Sequence, residues 1–243
     1  MSKVVTTTLL PDVAGGSVTL GGTGDSVVVT GNDIRTNALQ DAGGNAVFTS
    51  NGSGTMSGMN SAFGGALNLI QSQTASNSAS VSFTTQLTST YDVYIFKFYD
   101  INPATDATRF SFQGSIDGGS NYNVTITSTT FKAYHTESDS AAALTYDGVT
   151  DQAQGTGYQD IQGDIGNASD ESGVGELHLF NPASTTYIKH FYSTVQAYDS
   201  APQSRQTFAA GYFNTTSAID AISFKMLSGN FDGIIKLYGI SKS

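Results

Sequence analysis

Apolar and polar residues alternate most regularly along Tyr91-Asp-Val-Tyr-Ile-Phe-Lys-Phe-Tyr99. Successive side chains of an extended strand point to opposite faces, so Val93, Ile95, Lys97 and Tyr99 share one face and Tyr94, Phe96 and Phe98 the other. This pattern predicts a β-strand whose aromatic trio enters a core. Weaker alternation marks Leu67-Asn-Leu-Ile70, Ser80-Val-Ser-Phe83, Arg109-Phe-Ser-Phe-Gln113, Tyr122-Asn-Val-Thr-Ile-Thr127 and Thr130-Phe-Lys-Ala-Tyr-His135. It returns in Gly175-Glu-Leu-His-Leu-Phe180, Tyr187-Ile-Lys-His-Phe-Tyr-Ser-Thr-Val195, Thr207-Phe-Ala-Ala-Gly-Tyr212, Ala221-Ile-Ser-Phe-Lys-Met226 and Gly233-Ile-Ile-Lys-Leu-Tyr238. The segments flanking Asp117-Gly118-Gly119 read as sequential antiparallel strands across a turn. No helical period occurs. About ten strands with regular turn punctuation predict an all-β fold, an antiparallel β-sandwich of jelly-roll type. Residues 138–170 carry little strand signal and read as a long loop.

Residues 1–60 differ from the rest. Short alternating pieces, Ser17-Val-Thr-Leu20, Ser26-Val-Val-Val-Thr30 and Ala46-Val-Phe-Thr49, lie between Gly15-Gly16, Gly21-Gly22, Asn32-Asp33, Gly43-Gly44 and Asn51-Gly52. Large apolar side chains are too few to offset an ordering cost of roughly 1–2 kcal/mol per residue. This division predicts an extended N-terminal arm of short strands over residues 1–60 and a sandwich domain over residues 61–243. The arm is expected to gain its order from a partner or from copies of itself. Exposed strands offer unpaired backbone donors and acceptors that a neighbouring sheet satisfies. Val27, Val28, Val29, Ile34, Leu39, Val47 and Phe48 are the expected assembly residues.

Composition narrows the function. Only 12% of the 243 residues are charged, about half the usual share, and the formal net charge is −10. Ten scattered basic residues do not suit phosphate neutralisation, so no nucleic-acid partner is expected. Cysteine is absent, which excludes disulfides and thiolate metal sites. No apolar run approaches the roughly 18–20 residues that span a bilayer, so membrane insertion is not expected. Residues 1–11 are too polar and too short for a signal peptide. The expectation is synthesis in a host cytoplasm without export information, combined with the composition of an outer surface.

Between Glu137 and Glu176 stand nine carboxylates and no Lys or Arg. Asp139, Asp147, Asp151, Asp160, Asp164, Asp170, Glu171 and Glu176 lack the spacing of a calcium loop and read as a solvated acidic rim. His135, His178 and His190 show no metal-ligand spacing, although His178 and His190 can approach each other across a hairpin. No nucleophile elbow or phosphate-binding loop occurs. No enzyme activity, catalytic residue, metal or cofactor is therefore expected. Tyr134, Tyr146, Tyr158, Tyr192, Tyr198 and Tyr212 suit a sugar-binding surface, with Tyr146 and Tyr158 as the candidate glycan contacts, but tyrosine is also a common strand residue. Four Asn-x-Ser/Thr sequons, at Asn51, Asn123, Asn167 and Asn214, are expected by chance in a chain this rich in Ser and Thr.

Three segments carry a resemblance. Ile34-Arg-Thr-Asn-Ala-Leu-Gln-Asp-Ala-Gly-Gly-Asn-Ala-Val-Phe-Thr-Ser-Asn-Gly-Ser-Gly54 resembles the strand-turn-strand arms of virion structural proteins from marine tailed phages, cyanophages included. Asn230-Phe-Asp-Gly-Ile-Ile-Lys-Leu-Tyr-Gly-Ile240 is similar to their closing strand, and the strand of residues 91–99 with the Asp117 turn is similar to their β-sandwich body. The resemblance implies a non-enzymatic virion protein on the particle surface, commonly a homotrimer, attached to the major capsid protein or other virion proteins. The arm lacks the tandem repeats of a fibre shaft. A capsid decoration (cement) protein or head-fibre knob is therefore expected, with a receptor-binding tail appendage that uses glycan-binding loops as the alternative.

Overall fold

A computed structural model describes residues 38–40, 46–50, 56–57 and 66–240. The chain divides into two units, Met1–Asn60 and Ser61–Ser243. In the first, β1 (Ala38–Gln40), β2 (Ala46–Ser50) and β3 (Met56–Ser57) form a three-stranded sheet in that order. Leu39 stands opposite Phe48 in the antiparallel pair, and Val47 and Phe48 are half-buried. Val27, Val28, Val29 and Ile34 lie outside the described residues.

The second unit is all-β, with no helix among its described residues. Its strands are β4 (Leu67–Ser78), β5 (Val81–Phe83), β6 (Val93–Pro103), β7 (Thr108–Ser115), β8 (Ile126–Thr136) and β9 (Ala142–Tyr146). Then follow β10 (Gln159–Ile165), β11 (Gly173–Phe180), β12 (Lys189–Tyr198), β13 (Gln203–Phe213), β14 (Ala221–Met226) and β15 (Phe231–Ile240). They build two antiparallel sheets, a four-stranded one in the order β10-β7-β14-β5 and an eight-stranded one in the order β4-β15-β6-β11-β12-β13-β8-β9. The predicted β-sandwich is present, with a few more strands than the alternation marks.

The alternation of β6 has the predicted consequence: Tyr94, Phe96 and Phe98 are buried between the sheets. Across from them, Phe110 and Phe112 of β7 and Phe224 of β14 point inward from the small sheet. Edge-to-face contacts dominate, including Phe83 with Phe96 at 5.4 Å and Phe98 with Phe110 at 5.1 Å. These are the arrangements that ring quadrupoles favour. Ile235 and Leu237 of β15 and Leu177 and Leu179 of β11 complete the layer from the large sheet.

Two sequence expectations are corrected. The segments on either side of Asp117 do not form a hairpin, because β7 belongs to the small sheet and β8 to the large one. The turn itself forms: Gly118 and Gly119 adopt φ of 72° and 86°, conformations that glycine reaches at no steric cost. Asp117 holds it by accepting from the Asn121 side chain (2.7 Å), the Ser115 hydroxyl (2.7 Å) and the Asn121 backbone N–H (2.9 Å). These bonds lower its carboxyl to about 2. The turn sends the chain across the core to the opposite sheet.

Residues 138–170 are likewise not one long loop, since they contain β9 and β10. The strand signal is hidden because much of what this stretch buries is polar. Gln159, Gln162, Asp147 and Thr150 are buried there. Gln159 donates to the Thr150 carbonyl (2.8 Å) and accepts from the Ser128 hydroxyl (2.6 Å), which ties β10 to β8. Gln113 of β7 reaches the carbonyls of Gly157 (2.6 Å) and Val124 (3.1 Å), so the loops packed over the small sheet are pinned to it by one amide.

Candidate functional site

Two places gather chemistry-bearing side chains. The first is a buried charge cluster at the end of the sandwich where β10 faces β8 and β13. Arg205 of β13 points inward, and its guanidinium bonds Asp147 (3.2 Å), Asp199 (3.2 Å) and Asp164. Lys132 of β8 adds a second cation 3.1 Å from Asp147. The local sequence makes room for this contact. The β10–β7 register is interrupted between Gln162 and Ile165, and Asp164 takes a φ of 53°. A Cβ on Gly163 would lie 2.7 Å from an Arg205 nitrogen, so glycine at this position lets the guanidinium rest against the backbone. Burial opposes the charge of Arg205, but hydrogen bonds and attraction from Asp164 and Asp199 outweigh it and hold the group above the usual arginine range.

Asp160, next along β10, is paired with Arg109 at 3.2 Å and its side chain is only 12% exposed. Burial lifts its carboxyl to about 6, against the pull of Arg109 and with a further push from Asp147 and Asp164. The acidic rim expected from the sequence is thus wrong for Asp147, Asp160 and Asp164. Two are tied to a buried arginine and the third is tucked against the small sheet, because cations 41 and 58 residues away from Asp164 and Asp147 fold back onto them.

A pH dependence follows. A carboxyl whose folded value exceeds its unfolded one holds its proton more tightly when folded, so stability is lost as it ionises with rising pH. For Asp160 the window runs from the ordinary aspartate value of 3.8 to about 6, worth up to roughly 3 kcal/mol. Urea titrations at several pH values through this window should show wild-type stability falling more steeply than that of Asp160→Asn. Parallel profiles would refute the assignment.

The second place is the outer face of the large sheet. An antiparallel sheet with one buried face ordinarily turns polar side chains outward; this one turns out aromatics. Phe208 stacks on Phe131 at 4.8 Å, and Tyr146 follows in the same row on β9. His178 stacks on Tyr192 at 4.5 Å, with the Tyr192 hydroxyl 3.1 Å from His178 Nδ1. His190 stands opposite Tyr212, with their rings 6.1 Å apart. Tyr99 and Tyr238 extend the face on β6 and β15. In the middle, Lys97 donates to Glu176 at 2.9 Å, and Glu176 also meets His178 Nε2 at 2.8 Å. The Lys97 bond and then His178 hold Glu176 below the usual carboxylate range, against the effect of burial, while Lys97 is raised by the same pairing.

Two shallow depressions mark this face. One, of about 480 Å³, is lined by Phe180, His190, Tyr192, Tyr212, Thr127 and Thr129 around Ala210. The other, of about 470 Å³, lies among Tyr99, Lys97, Glu176, Thr194, Gln196 and Gln206.

Of the two tyrosines singled out from the sequence, Tyr146 lies on this face, 61% exposed, but on strand β9 and not in a loop. Its hydroxyl donates to Asp151. Tyr158 is elsewhere: Lys225 of β14 covers its ring at 4.2 Å from the centroid. His178 and His190 do lie on adjacent strands and the same face, His178 stacked on Tyr192 and His190 edge-on to Tyr212. Among the described residues, no group of three or more His, Cys, Asp or Glu is placed to hold a metal ion. Sequence reading missed Arg205 altogether, and it missed Phe131 and Phe208. The signal for the phenylalanines was masked, because the inward parity of their strands is itself largely polar, with Ser128, Thr130 and Lys132 on β8 and Arg205 and Thr207 on β13, so alternation alone does not say which face is which.

No protein family, curated protein or solved structure matches the chain.

Proposed function

We propose that this chain is a non-enzymatic structural protein of a phage particle, in which residues 1–60 attach to the major capsid protein or to neighbouring subunits and the β-sandwich stands outward from the particle surface. The reading draws on the resemblance of residues 34–54, 91–99 and 230–240 to virion proteins. The observation that carries it is the outer face of the eight-stranded sheet, a broad surface of exposed aromatic side chains on a rigid scaffold. Exposed apolar patches of this kind mark sites of interaction. The charge cluster around Arg205 reads as a clamp, because each of its carboxylates is already engaged by a cation.

Particles assembled with a variant lacking residues 1–60 test the attachment. The truncated protein should fold, giving the same cooperative unfolding as the full chain, yet be missing from purified particles. Undiminished occupancy would exclude the arm as anchor. The aromatic face also favours a second reading, a receptor-binding tail appendage. Copy number per particle separates the two, being on the scale of the capsid lattice for a decoration protein and a few per tail for an appendage.

A further inference from the structure

We infer that the outer face of the large sheet binds an uncharged, pyranose-based oligosaccharide, seated on Tyr192 and Tyr212 and running toward Gln206. This rests on the proposed exposure of the sandwich at the particle surface and adds the chemical class of ligand.

The register of the strands sets out the face as a grid. His178, Tyr192, Ala210 and Thr129 form one row across β11, β12, β13 and β8. Glu176, Thr194, Phe208 and Phe131 form the next, and Val174, Gln196, Gln206 and Ala133 the one after. Ala210 is the small position among Tyr192, Phe208 and Tyr212. Its missing bulk opens a socket whose walls are aromatic rings and whose far side carries the hydroxyls of Thr127 and Thr129. Four residues along β13, about 13 Å at strand rise, Gln206 enters the second depression, which is lined by an amide pair, a threonine and the Lys97–Glu176 ion pair. The side-chain amide of Gln206 and the Tyr212 hydroxyl have no hydrogen-bond partner among the described residues.

Such a surface fits a ligand with flat C–H faces for the rings and a fringe of hydroxyls for the amides. Apolar walls with a few polar groups that fix orientation are the usual make-up of a small-ligand site. Among the residues lining the two depressions Lys97 and Glu176 cancel each other, and Lys236, beside them, is engaged over the Tyr99 ring at 5.1 Å, so the depressions offer no net charge to an ionic ligand. A protein partner fits less well, because covering Gln206, Thr194 and the ion pair with apolar surface would strip their water without replacing it. A hydroxyl-rich ligand supplies that replacement.

The test is an array of neutral oligosaccharides built from glucose, galactose, mannose and N-acetylglucosamine, probed with the full chain and followed by calorimetry on the best binder. Binding should weaken at least tenfold in Tyr192→Ala and in Tyr212→Ala, by several-fold in Gln206→Ala, and stay unchanged in Tyr158→Ala. Tyr192 is 43% exposed, so its variant should keep wild-type unfolding behaviour. No binding to any array member, or binding indifferent to both tyrosine variants, overturns the assignment. So does an oligomer in sedimentation that Tyr192→Arg dissociates, since the face would then belong to a second copy of the chain. Failure here leaves particle attachment by residues 1–60 intact, and failure of that attachment leaves array binding intact, so the two outcomes can be told apart.

Discussion

Replacing Arg205 by alanine should destabilise the sandwich by roughly 3–5 kcal/mol, the range for removing one partner of a buried ion pair. The guanidinium is 5% exposed and joins three carboxylates contributed by β10 and by the segments after β9 and β12. Without it, Asp147 keeps Lys132, but Asp199, 4% exposed, is left with neutral donors only, among them Gln203 at 2.9 Å. The cost therefore arises from an uncompensated buried charge more than from the loss of an attraction. A double-mutant cycle distinguishes these: in the Arg205→Ala background, Asp199→Asn should restore part of the stability, whereas in the wild type it should be destabilising. Urea unfolding of the four proteins measures it. Additive effects would show that Arg205 and Asp199 act independently.

Phe224→Ala should cost a similar amount, about 3–5 kcal/mol, by a different route. Its ring lies within contact of five others, Phe96 (5.1 Å), Phe98 (5.3 Å), Phe110 (6.0 Å), Phe112 (6.3 Å) and Phe83 (6.4 Å), which come from both sheets. Truncation removes apolar burial and leaves a cavity between sheets whose backbones are fixed by their own ladders and cannot close over it. Phe224→Leu fills most of that space and should cost markedly less. An exposed control such as Tyr187→Ala, at 71% exposure, should shift stability by less than about 0.5 kcal/mol. A Phe224→Ala midpoint close to that of the control would mean that the ring cluster does not organise the core.

What was legible in the sequence is what alternates locally. The inward trio of β6 could be read directly, because Lys97 breaks the apolar run on the other parity and fixes which face is which. The class of fold followed from repeating such runs without a helical period. Residues 159–165 escaped notice because Gln159 and Gln162 occupy buried positions there, and only the folded partners reveal that these are hydrogen-bonded; residues 142–146 escaped because that short strand is largely exposed and shows no alternation of buried and exposed positions. The Asp117 turn was recognised, but whether a turn closes a hairpin or carries the chain to another sheet depends on strands far away in sequence. The aromatic face was half visible: Tyr146, Tyr192 and Tyr212 were noted as sugar-compatible, but their assembly on one plane requires the register of β9, β12 and β13. The arm residues Val47 and Phe48 fall in a described strand pair, while Val27 to Ile34 gain no structural account.

Strand β15 sits between β4 and β6 and pairs with both along nearly its full length. Its residues are translated after every other strand of the large sheet, yet they fill a gap between two of the earliest. A growing chain that has emerged only to β14 therefore holds β4 detached from its sheet and β6 with a bare flank of backbone donors and acceptors. Such unfinished flanks invite pairing with other nascent chains. Production of this protein is thus gated by completion of residues 231–240, and ribosomal stalling shortly before that point would give aggregates in place of a partly folded domain.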